Sequence, residues 1–293
     1  MMSLFFSRET KRLDSESRAA LPGSFVKLKN GVTHYELSGS EDEQTIVFVH
    51  GFSVPSYIWD PTFSALVEAG FRVLRYDLFG RGTSDRPNTS YGLDLYDDQL
   101  VDLLDALKIE KQVDLIGLSM GGPIVINFCN RHPIKVRSLV LIDPVGGKST
   151  KFSLLSLLGV LPVAGELIFG WLGNRMLLKG TAKDFYKPQN IKNFLHRYQE
   201  QMKYQGFKRS LIRTMRAGML GDFSSIYKLV GGQRYPKLLI WGRNDHTIPI
   251  SHSRIILDLM PDTEFHVVEH AGHLPHYECP EIVNPLLIKF LKK

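Results

Sequence analysis

The sequence predicts an α/β fold: a mostly parallel, twisted sheet with helices on both faces and an inserted helical cap. Three observations predict it. Six short runs are apolar almost without a break, as parallel strands covered on both faces require: 45–50 (TIVFVH), 71–77 (FRVLRYD), 113–118 (VDLIGL), 138–144 (SLVLIDP), 237–243 (KLLIWGR) and 264–270 (EFHVVEH). Stretches of helical period alternate with these runs, which is the β-α repeat of a doubly covered parallel sheet. The alternation breaks once. Between the fourth and fifth runs, residues 147 to 228 read as helical with no buried strand, a cap over the sheet edge. The expected division is a core of 1–146 and 229–293 with a cap of 147–228.

Taken in order, the chain opens on MMSLFFSRETKRLDSESR, with apolar residues first and charges after. That is the reverse of a secretory signal, and it reads as a surface arm. Residues 26–39 form strand, Asn30-Gly31 turn, strand: a hairpin. Leu100, Leu103, Leu104 and Leu107 make a one-face helical stripe. PIVINFCN after Ser119 is a helix stopped near Pro133. IVNPLLIKFLKK closes the chain as an amphipathic helix with Pro285 in its first turns.

Length and composition bound the rest. A chain of 293 residues, 43% hydrophobic and 23% charged, suits one large soluble domain with an insertion. Its two cysteines, Cys129 and Cys279, give neither a disulfide framework nor a metal site, and a cytoplasmic location is expected. The net charge of +6 is unevenly placed: 148–228 holds 14 Lys and Arg against 4 Asp and Glu, so this segment carries +10 and the remainder −4. No nucleic-acid-reading motif accompanies the charge, so nucleic acid is not an expected partner. Residues 152–178 are very apolar but broken by Pro162, Glu166 and glycines. They read as two short helices with apolar faces over the mouth of a site, with Trp171 among the side chains lining it. An apolar cap edged with Lys and Arg also suits weak contact with an anionic membrane or an acidic substrate.

Chemistry centres on Ser119, in Gly117-Leu118-Ser119-Met120-Gly121 between a buried strand and a helix. This is the strand–elbow–helix context in which a G-x-S-x-G serine is a nucleophile: the turn is tight, and glycine two residues to either side avoids collision. Such a serine needs a base, and the base an orienting acid. Among ten histidines, His34, His132, His196 and His252 sit in segments that read as surface or helix. His273, in the loop after the last strand, stands apart, with His270 and His276 as rivals. For the acid, Asp245 follows KLLIWGR, while Asp143 and Asp77 also end strands.

Four motifs together resemble the α/β-hydrolase family over nearly the whole chain outside the cap: VFVHGF, RYDLFGRGTSDRP, GLSMGG and GRND…HAGHLPHYECP. The resemblance implies Ser119 as nucleophile, His273 as base and Asp245 as acid, in the order Ser…Asp…His. It implies an oxyanion hole from the backbone N–H groups of Phe52 and Met120. It makes His50 a structural imidazole steadying the oxyanion loop, with Asp77 and Arg81 bracing a neighbouring loop. No cofactor and no metal are implied. A serine in place of the aspartate of haloalkane dehalogenases and epoxide hydrolases implies acyl transfer to water, so a carboxylesterase is expected. Serine C–C hydrolases of ring-fission products are a second resemblance, but they usually carry a glycine-rich loop where this chain has Phe52-Ser53-Val54-Pro55-Ser56. Small-molecule receptors on the same fold are a non-catalytic alternative. The natural ester and the oligomeric state are not legible.

Overall fold

The computed structural model describes residues 9–147, 161, 164–187 and 191–293. Eight strands form one sheet: β1 (Ser24–Leu28), β2 (Gly31–Ser38), β3 (Thr45–Val49), β4 (Arg72–Tyr76), β5 (Val113–Leu118), β6 (Val136–Ile142), β7 (Lys237–Gly242) and β8 (Thr263–Val268). Their order is β1-β2-β4-β3-β5-β6-β7-β8. The β1–β2 hairpin pairs Leu28 with Gly31 across the Asn30-Gly31 turn, and β2 runs antiparallel to β4. From β4 to β8 every pairing is parallel.

Helices are α1 (Ser15–Ala19), α2 (Asp60–Glu68), α3 (Leu93–Ala106), α4 (Gly121–Arg131), α5 (Ala164–Lys183), α6 (Lys192–Gln201), α7 (Phe207–Arg216), α8 (Ser224–Gly231), α9 (Ser251–Leu259), α10 (Pro275–Glu278) and α11 (Pro280–Leu291). Alternation along the central strands splits the core in two. Phe48, Ile116, Val140 and Ile240 face one layer, with Leu66 of α2 and Leu287 of α11. Val47, Leu115, Leu139 and Leu239 face the other, with Leu100 of α3 and Ile124 of α4. β3, β4, β5 and β7 are buried at every residue. β8 is not: only Thr263 and Val268 are buried. It is the sheet edge, so the face carrying Glu264 and His266 meets solvent, which a run of valines does not disclose.

Helices α5 to α8 lie between β6 and β7. Helix α7 rests on the loop after β4, where the Ser210 hydroxyl donates to the Gly80 carbonyl at 2.8 Å. Helix α8 runs across residue 228 and ties back to the β6 loop through Tyr227 Oη, which donates to Val145 O at 2.7 Å. The apolar stretch expected as two short helices is, from Ala164 onward, one helix of 20 residues; 152–160, 162 and 163 lie outside the described residues. Its glycines do not interrupt it. Gly165, Gly170 and Gly173 are buried on its inner face and let neighbours approach: Lys208 Nζ reaches the Gly170 carbonyl at 3.1 Å. The opening arm is also anchored from Glu9 onward. The Glu9 carboxylate accepts from the N–H groups of Gly206 (2.7 Å) and Lys208 (2.8 Å) at the start of α7, a site that favours an anion.

Candidate active site

Strands β3 and β5 are neighbours, yet the chain leaves β3 toward β4 on one side and β5 toward β6 on the other. Their C-terminal loops diverge at this switch point and open a crevice. One loop carries His50 to Ser56 and the other Ser119.

Ser119 follows the last residue of β5 with φ +53°, a left-handed conformation rare for a residue with a side chain. Three hydrogen bonds hold it there: its N–H donates to Ile142 O (3.0 Å), and its carbonyl accepts from Gly122 (2.9 Å) and Val145 (3.0 Å). The flanking glycines are steric necessities. A Cβ on Gly117 would lie 2.6 Å from the Gly121 carbonyl oxygen, and one on Gly121 would lie 2.2 Å from Val49 O. Helix α4 therefore starts directly under the serine, against the end of β3. A Cβ on Gly51 would stand 3.7 Å from Ser119 Oγ, so the β3 loop closes over the hydroxyl.

That loop is fixed at each peptide. The Leu78 N–H donates to His50 Nε2 at 3.0 Å, so the proton sits on Nδ1 and is donated to Gly51 O at 2.9 Å. Gly51 O and Phe52 N–H belong to one peptide plane, so His50 aims the Phe52 N–H. Burial holds the His50 pKa down to about 4, so the imidazole stays neutral. Arg81 Nε donates to Phe52 O at 2.7 Å, which fixes the next peptide. Arg81 is fully buried; its other donors go to Phe79 O, Tyr96 Oη and, in α7, Thr214 Oγ1 at 2.8 Å. Asp77 takes the far end, accepting from Ser56 N (2.9 Å) and Ser56 Oγ (2.7 Å). Burial by itself would raise the Asp77 pKa, but the charge and hydrogen bond of His34, with the hydrogen bond of Ser56, hold it well below the usual carboxylate range. His34 is thus no surface residue: it is buried, its Nδ1 2.9 Å from Asp77. Among the described residues, neither Phe52 N–H nor Met120 N–H meets a backbone acceptor.

The loop after β8 supplies the imidazole. His273 Nδ1 lies 2.6 Å from Asp245 Oδ2, and both are buried. Asp245 Oδ1 accepts from Thr247 N (2.7 Å) and Ile248 N (2.8 Å). The rivals go elsewhere. His270 is exposed at φ +59°. His276 is buried against Trp59, its Nε2 3.2 Å from Ile58 O, and burial pushes its pKa down to about 3.

Asp143 is neither the acid partner of His273 nor a mere turn cap. It adopts φ +42° and accepts from Gly242 N at 3.0 Å through Oδ1. Burial, then the charge of Asp245, raises its pKa well above the carboxylate range. Its Oδ2 is buried without a hydrogen-bond partner among the described residues, the arrangement expected of a carboxyl that keeps its proton. The facing atoms of Asp143, Asp245 and His273 lie within 4.8 Å, spacing that a cation would also accept.

Two further carboxylates gave no signal in the sequence. The backbone of Asp184, just past α5, accepts from His273 N at 2.7 Å, and its side chain takes the Thr247 hydroxyl. Burial pushes the Asp184 pKa up to about 6. Glu278 accepts from Gly272 N and Tyr186 N, both at 2.7 Å. Together they clamp 184–186 onto the His273 loop. Burial alone would lower the His273 pKa, but Asp245, Asp184 and Glu278 raise it overall. Trp171, expected to line the space above Ser119, is 77% exposed on the outer face of α5. An apolar residue on a helix gives no sign of the side on which the helix is covered.

Chains of known type share this architecture. A family model described as the alpha/beta hydrolase fold matches residues 44–280. A 2-hydroxy-6-oxononadienedioate/2-hydroxy-6-oxononatrienedioate hydrolase of Paraburkholderia xenovorans is 28% identical over 93% of this chain and 96% of its own. Among solved structures, a variant meta-cleavage product hydrolase superposes with TM-score 0.77 at 25% identity, covering 92% of this chain and 98% of its own. An esterase from Thermogutta terrifontis superposes with TM-score 0.78 at 20% identity, covering 92% and 98%. With a serine elbow at the switch point, an imidazole–carboxylate pair at the sheet's C-terminal edge and a family match across most of its length, this chain belongs to the α/β hydrolase fold family.

Proposed function

We propose that this hydrolase cleaves carboxylic esters through an acyl-enzyme on Ser119. The carrying observation is the 2.6 Å bond from His273 Nδ1 to Asp245, which orients the ring and leaves Nε2 as the proton acceptor. Ser119 Oγ attacks the ester carbonyl carbon while its proton passes to His273 Nε2. The resulting oxyanion takes the N–H groups of Phe52 and Met120. Collapse breaks the bond to the leaving oxygen, which receives the proton from His273. Water, deprotonated by the same imidazole, then attacks the acyl carbonyl; the acid departs and Ser119 regains its proton.

Cleavage of C–C bonds in ring-fission products is the second reading, favoured by the names of relatives. The substrate in the first of those names is a dioate and calls for cations. The buried cation at the oxyanion loop, Arg81, has its donors placed on neutral protein oxygens, which supports the ester reading. The deciding experiment is turnover of a panel of esters of graded acyl length beside a ring-fission dienoate, with Ser119→Ala as control. Esters turned over by the native chain and not by the variant are expected. A dienoate cleaved faster than every ester replaces the ester reading with the C–C reading. Turnover surviving in a folded Ser119→Ala protein ends both.

A further inference from the structure

We propose that the outer face of α5 is a docking surface for an anionic lipid bilayer. In its first half the helix is apolar on both sides, unlike an ordinary surface helix. Phe169, Gly173, Leu177 and Thr181 are buried on its inner side. The opposite side of its first half is apolar and open to solvent: Trp171 is 77% exposed, Leu167 44%, and Ile168 and Leu172 40% each. Side chains at four-residue spacing share a helix face, so these form one ridge. Contiguous exposed apolar surface of this kind marks an interaction site.

Charge decides the occupant. The stripe through Leu167 and Trp171 continues at the same spacing into Arg175, Lys179 and Lys183, all exposed, and none is held in an ion pair among the described residues. The surrounding 148–228 segment carries +10 on a remainder of −4. A second copy of the chain seated on this ridge would bring two such cationic segments together. An anionic bilayer complements both halves of the helix. The apolar ridge enters the headgroup boundary, where tryptophan is favoured, and the long cationic side chains meet phosphate. No helix among the described residues is long and apolar enough to cross a membrane, so α5 lies in the plane of the interface.

The chain supplies its own reporter. Of its three tryptophans, Trp59 and Trp241 are fully buried, so a change of emission on adding vesicles reads Trp171. The experiment adds phosphatidylcholine vesicles, with or without phosphatidylglycerol, to the full chain at low and high salt, and reads emission and co-sedimentation. The expected result is a blue shift and pelleting with phosphatidylglycerol present. Both are lost toward ~1 M salt, where the screening length falls to about 3 Å. Arg175→Glu with Lys179→Glu abolishes both, and Trp171→Ser removes the shift and weakens pelleting, with melting temperatures unchanged. Absence of both signals at low salt overturns the proposal. So does equal binding to phosphatidylcholine alone, or undiminished binding of the charge-reversed variant. A shift that grows with protein concentration without lipid, alongside a larger species on size exclusion, assigns the face to a second copy instead.

Discussion

Arg81 donates its Nε–H to the carbonyl of Phe52 at 2.7 Å, and the same guanidinium reaches Thr214 in α7 at 2.8 Å. One buried cation thus sets the peptide next to the proposed oxyanion donor and ties it to the helices above. Arg81→Lys keeps the charge but loses the planar fork. We expect kcat on a soluble ester to fall about 10²–10³-fold, the cost of losing one oxyanion donor, with KM little changed. A folded Arg81→Lys protein with native kcat contradicts this.

Asp245 and Asp143 lie side by side, but it is Asp245 that bonds His273, and amide substitution separates their roles. Asp245→Asn cannot accept the His273 Nδ1–H through its new NH₂ and favours the wrong tautomer, so kcat/KM should drop about 10⁴-fold. Asp143→Asn mimics a protonated carboxyl, the form that burial and the Asp245 charge favour there. Its oxygen can accept from Gly242 N as the native Oδ1 does, and its NH₂ can donate toward Asp245. A loss of less than about tenfold, or 1.4 kcal/mol, is expected. Comparing the two variants by kcat/KM tests the assignment, and the reverse order of damage refutes it.

The pH profile should carry the mark of Asp184. His273 acts as a base only when neutral, so activity falls as pH drops through its pKa. Burial opposes the rise in that pKa, while Asp245, Asp184 and Glu278 drive it, placing the acid limb above 6.5. Asp184, whose pKa burial pushes up to about 6, supplies part of that negative charge. Asp184→Asn removes a negative charge that favours the imidazolium, so the limb should move to lower pH. Measured kcat/KM profiles with an unmoved or raised midpoint disprove the coupling.

Two glycines give opposite outcomes in thermal unfolding. A Cβ on Gly272 would lie 2.3 Å from Asp184 O and 2.9 Å from Tyr186 N, both backbone atoms of the clamped segment. Gly272→Ala should destabilise by about 1–3 kcal/mol and lower kcat, since it pushes 184–186 off the His273 loop. A Cβ on Gly180, inside α5, would meet nothing within 4 Å. Gly180→Ala should stabilise by about 0.5–1 kcal/mol, because helix propensity then acts unopposed.

Sequence by itself determined the parts whose signals are local. The strands are written in apolar runs of fixed period, the hairpin in Asn30-Gly31, and the elbow around Ser119 in glycines whose missing side chains meet Gly121 and Val49 backbone atoms. His273 and Asp245 were legible because each sits just past a recognisable strand. Tertiary structure alone decided what depends on distant segments meeting. His34 read as a bland residue, yet it is buried on Asp77, 43 positions away. Asp143 and Asp245 read as rivals for one role until the sheet placed them side by side, where burial and the neighbouring charge push the Asp143 pKa up. Asp184 and Glu278 gave no signal, because the contacts that clamp the loop, His273 to Asp184 and Tyr186 to Glu278, join the insertion to a distant part of the core. Trp171 was expected on the wrong side, since periodicity shows that a helix has an apolar stripe, while only packing decides which stripe is covered.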